Sequence, residues 1–144
     1  MNQTNIQVLY TKHIHLLEAC IANLGNARKH FRYFDKRPLS IIQNHLVTAI
    51  ILCDGEAIGY GHLDNDNDII WLGIAIAENF QGKGLGKKMM QFLIDNAIKN
   101  NVQKISLTVD EDNFAAVKLY EHFGFSSHGK INNGSLIMHC TPIN

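Results

Sequence analysis

Proline and tryptophan are scarce in this chain, with two and one copies among 144 residues, and neither sign of charge is in excess. Thirteen Lys and Arg stand against thirteen Asp and Glu, so no basic surplus marks a phosphate-backbone footprint, and nucleic acid is not an expected partner. The eight His are scattered rather than gathered into a tract. No apolar run approaches the roughly 20 residues that cross a bilayer, so no membrane association is expected. The opening Met1-Asn2-Gln3-Thr4-Asn5 has neither a basic leader nor an apolar core, which argues against a signal peptide and for a cytoplasmic protein. Three cysteines, Cys20, Cys53 and Cys140, are odd in number, widely spaced and without His at metal-ligand spacing. They are expected to be free thiols, and no metal is expected. Repeats, linkers and low-complexity tracts are also missing, leaving one domain over residues 1–144, with 46% hydrophobic residues to build its core.

What is present has a clear order. Residues 6–10 read as a first strand. Ile14, Leu17, Cys20, Ile21 and Leu24 recur at the helical period, and Gly25-Asn26 supplies a stop. Pro38 disfavours a continuous helix through the aromatic and basic stretch 27–39, and Ser40 is placed to cap a short helix carrying Ile41, Ile42 and Leu46. Residues 47–53 predict an apolar strand, Asp54-Gly55-Glu56 a hairpin turn, and 57–63 the antiparallel return. A polar turn over 64–68 leads to a third strand, 69–76, with Leu72, Ile74 and Ile76 on one face and Trp71, Gly73 and Ala75 on the other.

The second half changes character. After a glycine-rich loop, Leu85, Met89, Phe92 and Leu93 predict a helix ending near Ile98, followed by a strand over 104–109. Residues 113–123 predict another helix, stopped by Gly124. Phe125 begins a return strand, and Ile131-Asn132-Asn133-Gly134 turns the chain into a last strand over 135–140. Hairpins followed by strand-helix-strand imply an α/β fold: a mixed central sheet flanked by helices.

The most informative segment is Gln81-Gly82-Lys83-Gly84-Leu85-Gly86, between an apolar strand and an amphipathic helix. Closely spaced glycines let backbone amides turn inward, and the first amides of a helix lack intrahelical acceptors, so an anion is their natural partner. The glycine spacing differs from the dinucleotide fingerprint, and no Gly-Lys-Ser or Gly-Lys-Thr follows as in a P-loop. Lys83, Lys87 and Lys88 would add positive potential, or serve only as a solvated helix start.

On these residues the sequence resembles the GCN5-related N-acetyltransferase family. That family's coenzyme-A loop follows an Arg/Gln-x-x-Gly-x-Gly/Ala pattern, met here by Gln81, Gly84 and Gly86, and residues 74–80 look like the strand end that precedes it. Many members carry Pro where this chain has Glu78. Asn113, Ala116, Leu119, Tyr120, Gly124 and Phe125 match the family's later Asn-x-x-Ala-x-x-Leu-Tyr-x-x-x-Gly-Phe segment. The resemblance implies a single-domain acetyltransferase fold and transfer of an acetyl group from acetyl-coenzyme A to an amine. It also implies a cofactor site at Ile74, Ile76, Gln81, Gly82, Lys83, Gly84, Leu85, Gly86 and Asn113. In such a site a backbone amide near Ile74 to Ile76 stabilises the developing oxyanion, and Tyr120 protonates the departing thiolate.

The acceptor side is less specific. His62 is a candidate general base because histidine titrates in the useful range, with Asp68 and Glu56 as alternatives. Trp71 stands where several relatives carry a carboxylate, which favours a water-mediated route. The patch Phe31-Arg32-Tyr33-Phe34, in the region that shapes the acceptor site in this family, offers aromatic platforms, and Arg28, Arg32 and Arg37 offer partners for phosphate or carboxylate. This patch is similar to segments in acetyltransferases of bacterial surface-polysaccharide pathways, implying an anionic small-molecule amine such as a nucleotide-linked amino sugar. A noncatalytic coenzyme-A-binding module and a peptide or protein N-acetyltransferase are the alternative readings, and a homodimer through an exposed strand or helix face is compatible with all of them.

Overall fold

The centre of the sheet is a meander that turns on two short polar hairpins, Asp54-Gly55 and Asn67-Asp68. All four of these residues have positive φ, the signature of the tight turn whose twist matches flanking strands. The structure is a computed structural model and describes residues 3–131 and 134–143. Its strands and helices are β1 (Thr4–Val8), α1 (Ile14–Asn23), β2 (His45–Cys53), β3 (Glu56–Asp66), β4 (Ile69–Ile76), α2 (Leu85–Lys99), β5 (Ile105–Asp110), α3 (Phe114–His122), β6 (Ser126–Lys130) and β7 (Ser135–Cys140). The seven strands lie in the order β1-β2-β3-β4-β5-β7-β6. Among the described residues only β4 and β5 run parallel; every other neighbouring pair is antiparallel.

The predicted α/β class and mixed sheet are present, with shifted boundaries. β3 runs on to Asp66, because the turn is made by Asn67 and Asp68 alone rather than by 64–68. β1 lies two residues earlier than expected, at Thr4–Val8, where it pairs with Ala49 to Cys53. Ser40 caps no helix: a 3-10 turn over Leu39–Asn44 starts after Pro38, and Leu46 belongs to β2. Gly25–His30 forms a second 3-10 turn after α1. Asn132 and Asn133 of the predicted final turn lie outside the described residues.

Side-chain alternation gives the sheet two apolar faces. On one, Ile58, Leu63, Leu72, Met89, Leu93, Ile105, Leu107 and Tyr120 form a core under α2 and α3. On the other, Leu17, Cys20, Leu24, Ile50, Tyr60 and Ala75 pack under α1. The three cysteines are buried and free, and burial pushes the Cys20 thiol up to about 12, far from a reactive thiolate. Among the described residues no helix is long and apolar enough to cross a membrane.

One irregularity positions everything that follows. The parallel ladder between β4 and β5 consists of two residue pairs, Ile70 with Ile105 and Trp71 with Ser106. Beyond them the strands diverge, and two cavities open beside the gap.

Candidate active site

The first cavity, of about 500 Å³, follows the gap between β4 and β5. Leu72 to Ile76 line one side and Thr108 and Val109 the other; Gln81, Gly82, Leu85 and Gly86 close one end, and Asn113, Ala116, Leu119 and Tyr120 form the α3 wall. Local chemistry builds the loop. Glu78 accepts bonds from the Asn26 backbone amide (2.8 Å) and side-chain amide (3.1 Å), and its own N–H donates to the Leu24 carbonyl at 3.0 Å. This clasp ties the loop entry to the end of α1. Gln81 then donates to the Ile76 carbonyl at 3.0 Å, tying the loop back to its strand.

Gly82 and Gly84 have φ of 75° and 81°, with nothing within 4 Å of a built Cβ, so conformation rather than crowding requires glycine here. Gly84 is the N-cap of α2 and supplies no side-chain cap, which leaves the first amides of a fifteen-residue helix for an outside acceptor. Asn113 occupies the N-cap position of α3, also without a capping side-chain bond.

The predicted cofactor residues Ile74, Ile76, Gln81, Gly82, Leu85, Gly86 and Asn113 all line this cavity, and so does Tyr120. Lys83 and Gly84 do not. The Lys83 ammonium sits 5.4 Å from the centre of the Phe80 ring, and Lys88 reaches Thr4 on β1 at 3.3 Å. Tyr120 is 6% exposed, and burial raises its pKa, so the phenol stays protonated. Among the described residues its hydroxyl has no hydrogen-bond partner.

The second cavity, of about 460 Å³, shares His30, Phe31, Leu72, Gly73, Thr108 and Val109 with the first. Arg32, Tyr33, His62 and Trp71 line it, together with Arg37, Asp64, Asp66 and Asp110. The tyrosine is part of a polar chain. Tyr33 donates its hydroxyl proton to Asp64 at 2.8 Å, and the same oxygen lies 2.8 Å from His45 Nε2. Having only one proton to give, Tyr33 accepts from Nε2–H, and His45 Nδ1 accepts from the Thr48 hydroxyl, also at 2.8 Å.

His62 departs from what a proton sink requires. It is 2% exposed, its Nδ1 is 2.7 Å from the Tyr60 hydroxyl, and burial, aided by His45 and Arg37, lowers its pKa well below the ordinary value. A ring that resists the positive form in this way is poorly suited to take a proton from an ammonium. The alternatives are not in the cavities: Glu56 opens β3 beside its turn and Asp68 lies in the next one, and neither lines a cavity.

Arg32 is half exposed but paired within the chain. Its two terminal nitrogens fork onto Asp110 at 2.9 and 2.8 Å, and one also bonds the Lys29 carbonyl. Arg37 stacks 4.3 Å over the Tyr33 ring and donates to the Tyr33 carbonyl at 2.8 Å; Arg28 lines neither cavity. Two of the arginines expected to receive an anion are thus engaged within the chain, Arg32 by Asp110 and Arg37 by Tyr33. His30, Asp110 and Asp112 come within 4.8 Å of one another, but the guanidinium on Asp110 already neutralises that carboxylate. Asp64, Asp66 and Asp110 went unnoticed in the sequence because two sit in a stretch read as turn and the third just beyond a predicted strand end.

The site thus sits in a seven-stranded mixed sheet, at a gap beside its parallel pair where a glycine loop feeds a helix. The chain belongs to the acetyltransferase (GNAT) family, whose sequence model matches residues 14–125. It is 41% identical over 78 residues to spermine/spermidine N(1)-acetyltransferase of Bacillus subtilis (strain 168), a match covering 52% of this chain and 51% of that protein. The chain spans about half the length of the curated relatives it matches. Among solved structures, the PaiA N-acetyltransferase of Thermoplasma acidophilum in complex with coenzyme A superposes with a TM-score of 0.78 at 16% identity, covering 96% of this chain and 99% of that one. The ribosomal-protein-S18-alanine N-acetyltransferase of Escherichia coli superposes at 0.75 with 20% identity, covering 99% and 96%.

Proposed function

We propose that this protein transfers an acetyl group from acetyl-coenzyme A to the primary amine of a small molecule, with the cofactor in the first cavity and the acceptor in the second. The observation that carries this reading is their junction: both cavities touch Leu72 and Gly73 on β4 and Thr108 and Val109 on β5, where the strands part. The amine nitrogen attacks the thioester carbon there, a C–N bond forms, and the C–S bond breaks. A backbone amide between Ile74 and Ile76 steadies the oxyanion, and the amides at the start of α2 take the cofactor's phosphates. Tyr120 donates its phenolic proton to the leaving thiolate and is reprotonated from solvent after each turnover. The acceptor's proton leaves through water in the open second cavity, while His62 serves as a neutral wall.

The charge lining of the second cavity bears on the acceptor. Three carboxylates, Asp64, Asp66 and Asp110, face two guanidinium groups, and Arg32 is spent on Asp110. Asp64 and Asp66 thus outnumber Arg37, which favours a cationic acceptor such as a polyamine over the anionic amino sugar read from the arginines. The name of the Bacillus relative supports the same choice.

Turnover of acetyl-coenzyme A should be measured across spermidine, a simple diamine, a neutral monoamine and a nucleotide-linked amino sugar. Preference for the multiply charged amines, reduced by Asp66→Asn, is the expected result. Preference for the nucleotide-linked amine would overturn the cationic reading. Coenzyme-A binding without turnover of any amine would favour the noncatalytic module. The exposed edge strand β6 would carry a homodimer, which sedimentation velocity would reveal.

A further inference from the structure

Phe31 lines both cavities, and the residues on either side of it are tied to a single carboxylate. His30 Nδ1 lies 2.8 Å from Asp110 Oδ2, and Arg32 forks onto both oxygens of the same group at 2.9 and 2.8 Å. The Ser135 hydroxyl on β7 donates to Asp110 Oδ1 at 3.1 Å and braces the carboxylate from behind. Asp110 is the last residue of β5, on the far side of the gap from β4. The Phe31 ring points the other way, 5.2 Å from Tyr60 on β3 and 6.1 Å from Phe34. Residues 30–32 therefore cross the place where the cavities meet, fastened on the β5 side by charge and on the β3 side by aromatic packing.

We infer that Asp110 is a positioning residue, which through His30 and Arg32 holds Phe31 as the roof of the throat where amine and thioester meet. The inference rests on the acetyl-transfer reading for its chemistry, but the strap itself is a property of the folded chain. A bidentate Arg–carboxylate pair is among the more geometrically restrictive contacts available to a surface segment, and here a second donor two residues away shares it. The Arg32 and His30 bonds hold the Asp110 carboxyl well below the usual carboxylate range, so the strap keeps its charge at neutral pH. A roof fixed in this way limits the water that reaches the thioester and sets the height at which an acceptor enters. Released, it would admit water, whose attack on the carbonyl carbon breaks the C–S bond and yields acetate and free coenzyme A.

Two arms test this. In the first, amide hydrogen exchange is followed across residues 25–37 in the unaltered protein, Asp110→Asn and Arg32→Gln, without cofactor. Faster exchange in that segment in both variants, with α2 and β2 unchanged, is expected; identical exchange would overturn the strap. In the second, the same proteins and Phe31→Ala are assayed with acetyl-coenzyme A. Loss of one charge-assisted contact should raise the acceptor KM about tenfold and raise hydrolysis without acceptor. Asp110→Glu should recover part of the KM. Loosened exchange with unaltered KM and hydrolysis would show a strap with no role at the throat, and so overturn the positioning role. If the unaltered protein acetylates no amine, the acetyl-transfer reading fails, while the exchange arm and hydrolysis still decide the fate of the strap.

Discussion

A β-carbon at residue 73 would lie 2.5 Å from His62 Nε2, so Gly73 and His62 divide one small volume between them at the junction of the two cavities. The imidazole fits only because the facing residue of the antiparallel pair, His62 opposite Gly73, has no side chain. Gly73→Ala must push the ring away from Tyr60 or spread the strands. Overpacking of this kind costs about 1–3 kcal/mol, readable as a lower urea midpoint. The acceptor KM should rise with it, while coenzyme-A affinity changes little. An unchanged KM would place His62 outside the acceptor's reach.

Gly84→Val addresses the cofactor loop. With φ at 81°, a β-branched residue there is strained by about 1–3 kcal/mol even though nothing crowds it. The loop should relax into another conformation and misdirect the first amides of α2. Calorimetry should show coenzyme-A binding weakened at least tenfold, with the secondary structure intact. Full affinity would move the phosphate site elsewhere.

Tyr120→Phe removes one hydroxyl and no ring volume. Because that hydroxyl has no hydrogen-bond partner among the described residues, stability should be nearly unchanged. A lost general acid typically lowers the rate by about 10²–10⁴-fold. A thioester with a more acidic thiol should recover part of the loss, since its leaving group needs less help. Single-turnover transfer at the original rate with the normal thioester would leave Tyr120 a core residue only.

Acid should weaken the protein in two stages. Burial brings His45 down to about 4 against the pull of Asp64, and His62 lies well below its ordinary value beside Tyr33, Tyr60, His45 and Arg37. Both rings protonate near pH 6.5 once unfolded but resist in the native state. Their neutral burial costs nothing above that pH. As pH falls from 6.5 to 4 the unfolded chain binds protons that the folded chain refuses, and stability declines. For half-buried His45 the loss, discounted for solvent screening, is about 1–2 kcal/mol. Below pH 4 Asp110 takes over: its depressed pKa contributes stability above the ordinary carboxylate value, and this is lost on further acidification. Urea titrations at pH 7.5, 5.5, 4.5 and 3 test the order, and His45→Gln should flatten the upper stage while leaving the fall below pH 4 in place. Equal stability at 7.5 and 4.5 would refute it.

The lining of the first cavity was legible from sequence because backbone conformation dictates it: glycines needing positive φ, a helix start, and an apolar strand leave a readable local trace. Ile74, Gln81, Gly82, Asn113 and Tyr120 accordingly converge on one cavity. The lining of the second cavity depends on partners far apart in the chain. Arg32 reads as a free cation until Asp110, 78 residues away, is found beneath it. His62 reads as a titrating group until Tyr60 and complete burial are seen. Asp64 and Asp66 read as turn residues because the true turn, Asn67-Asp68, needs only two residues. Local rules carry conformation well and long-range charge pairing hardly at all.

The two-pair ladder between β4 and β5 also bears on how the molecule assembles. β2, β3 and β4 meet through adjacent hairpins, whose loops are short and quick to close. β5 reaches β4 only after the chain has passed through all of α2, so that pairing closes a far longer loop for very few bonds. The meander is thus expected to be structured early and the β4–β5 seam last. Substitutions at Trp71 or Ser106 should then speed unfolding and leave the refolding rate almost untouched, which would make the site's defining gap the final part of the molecule to form.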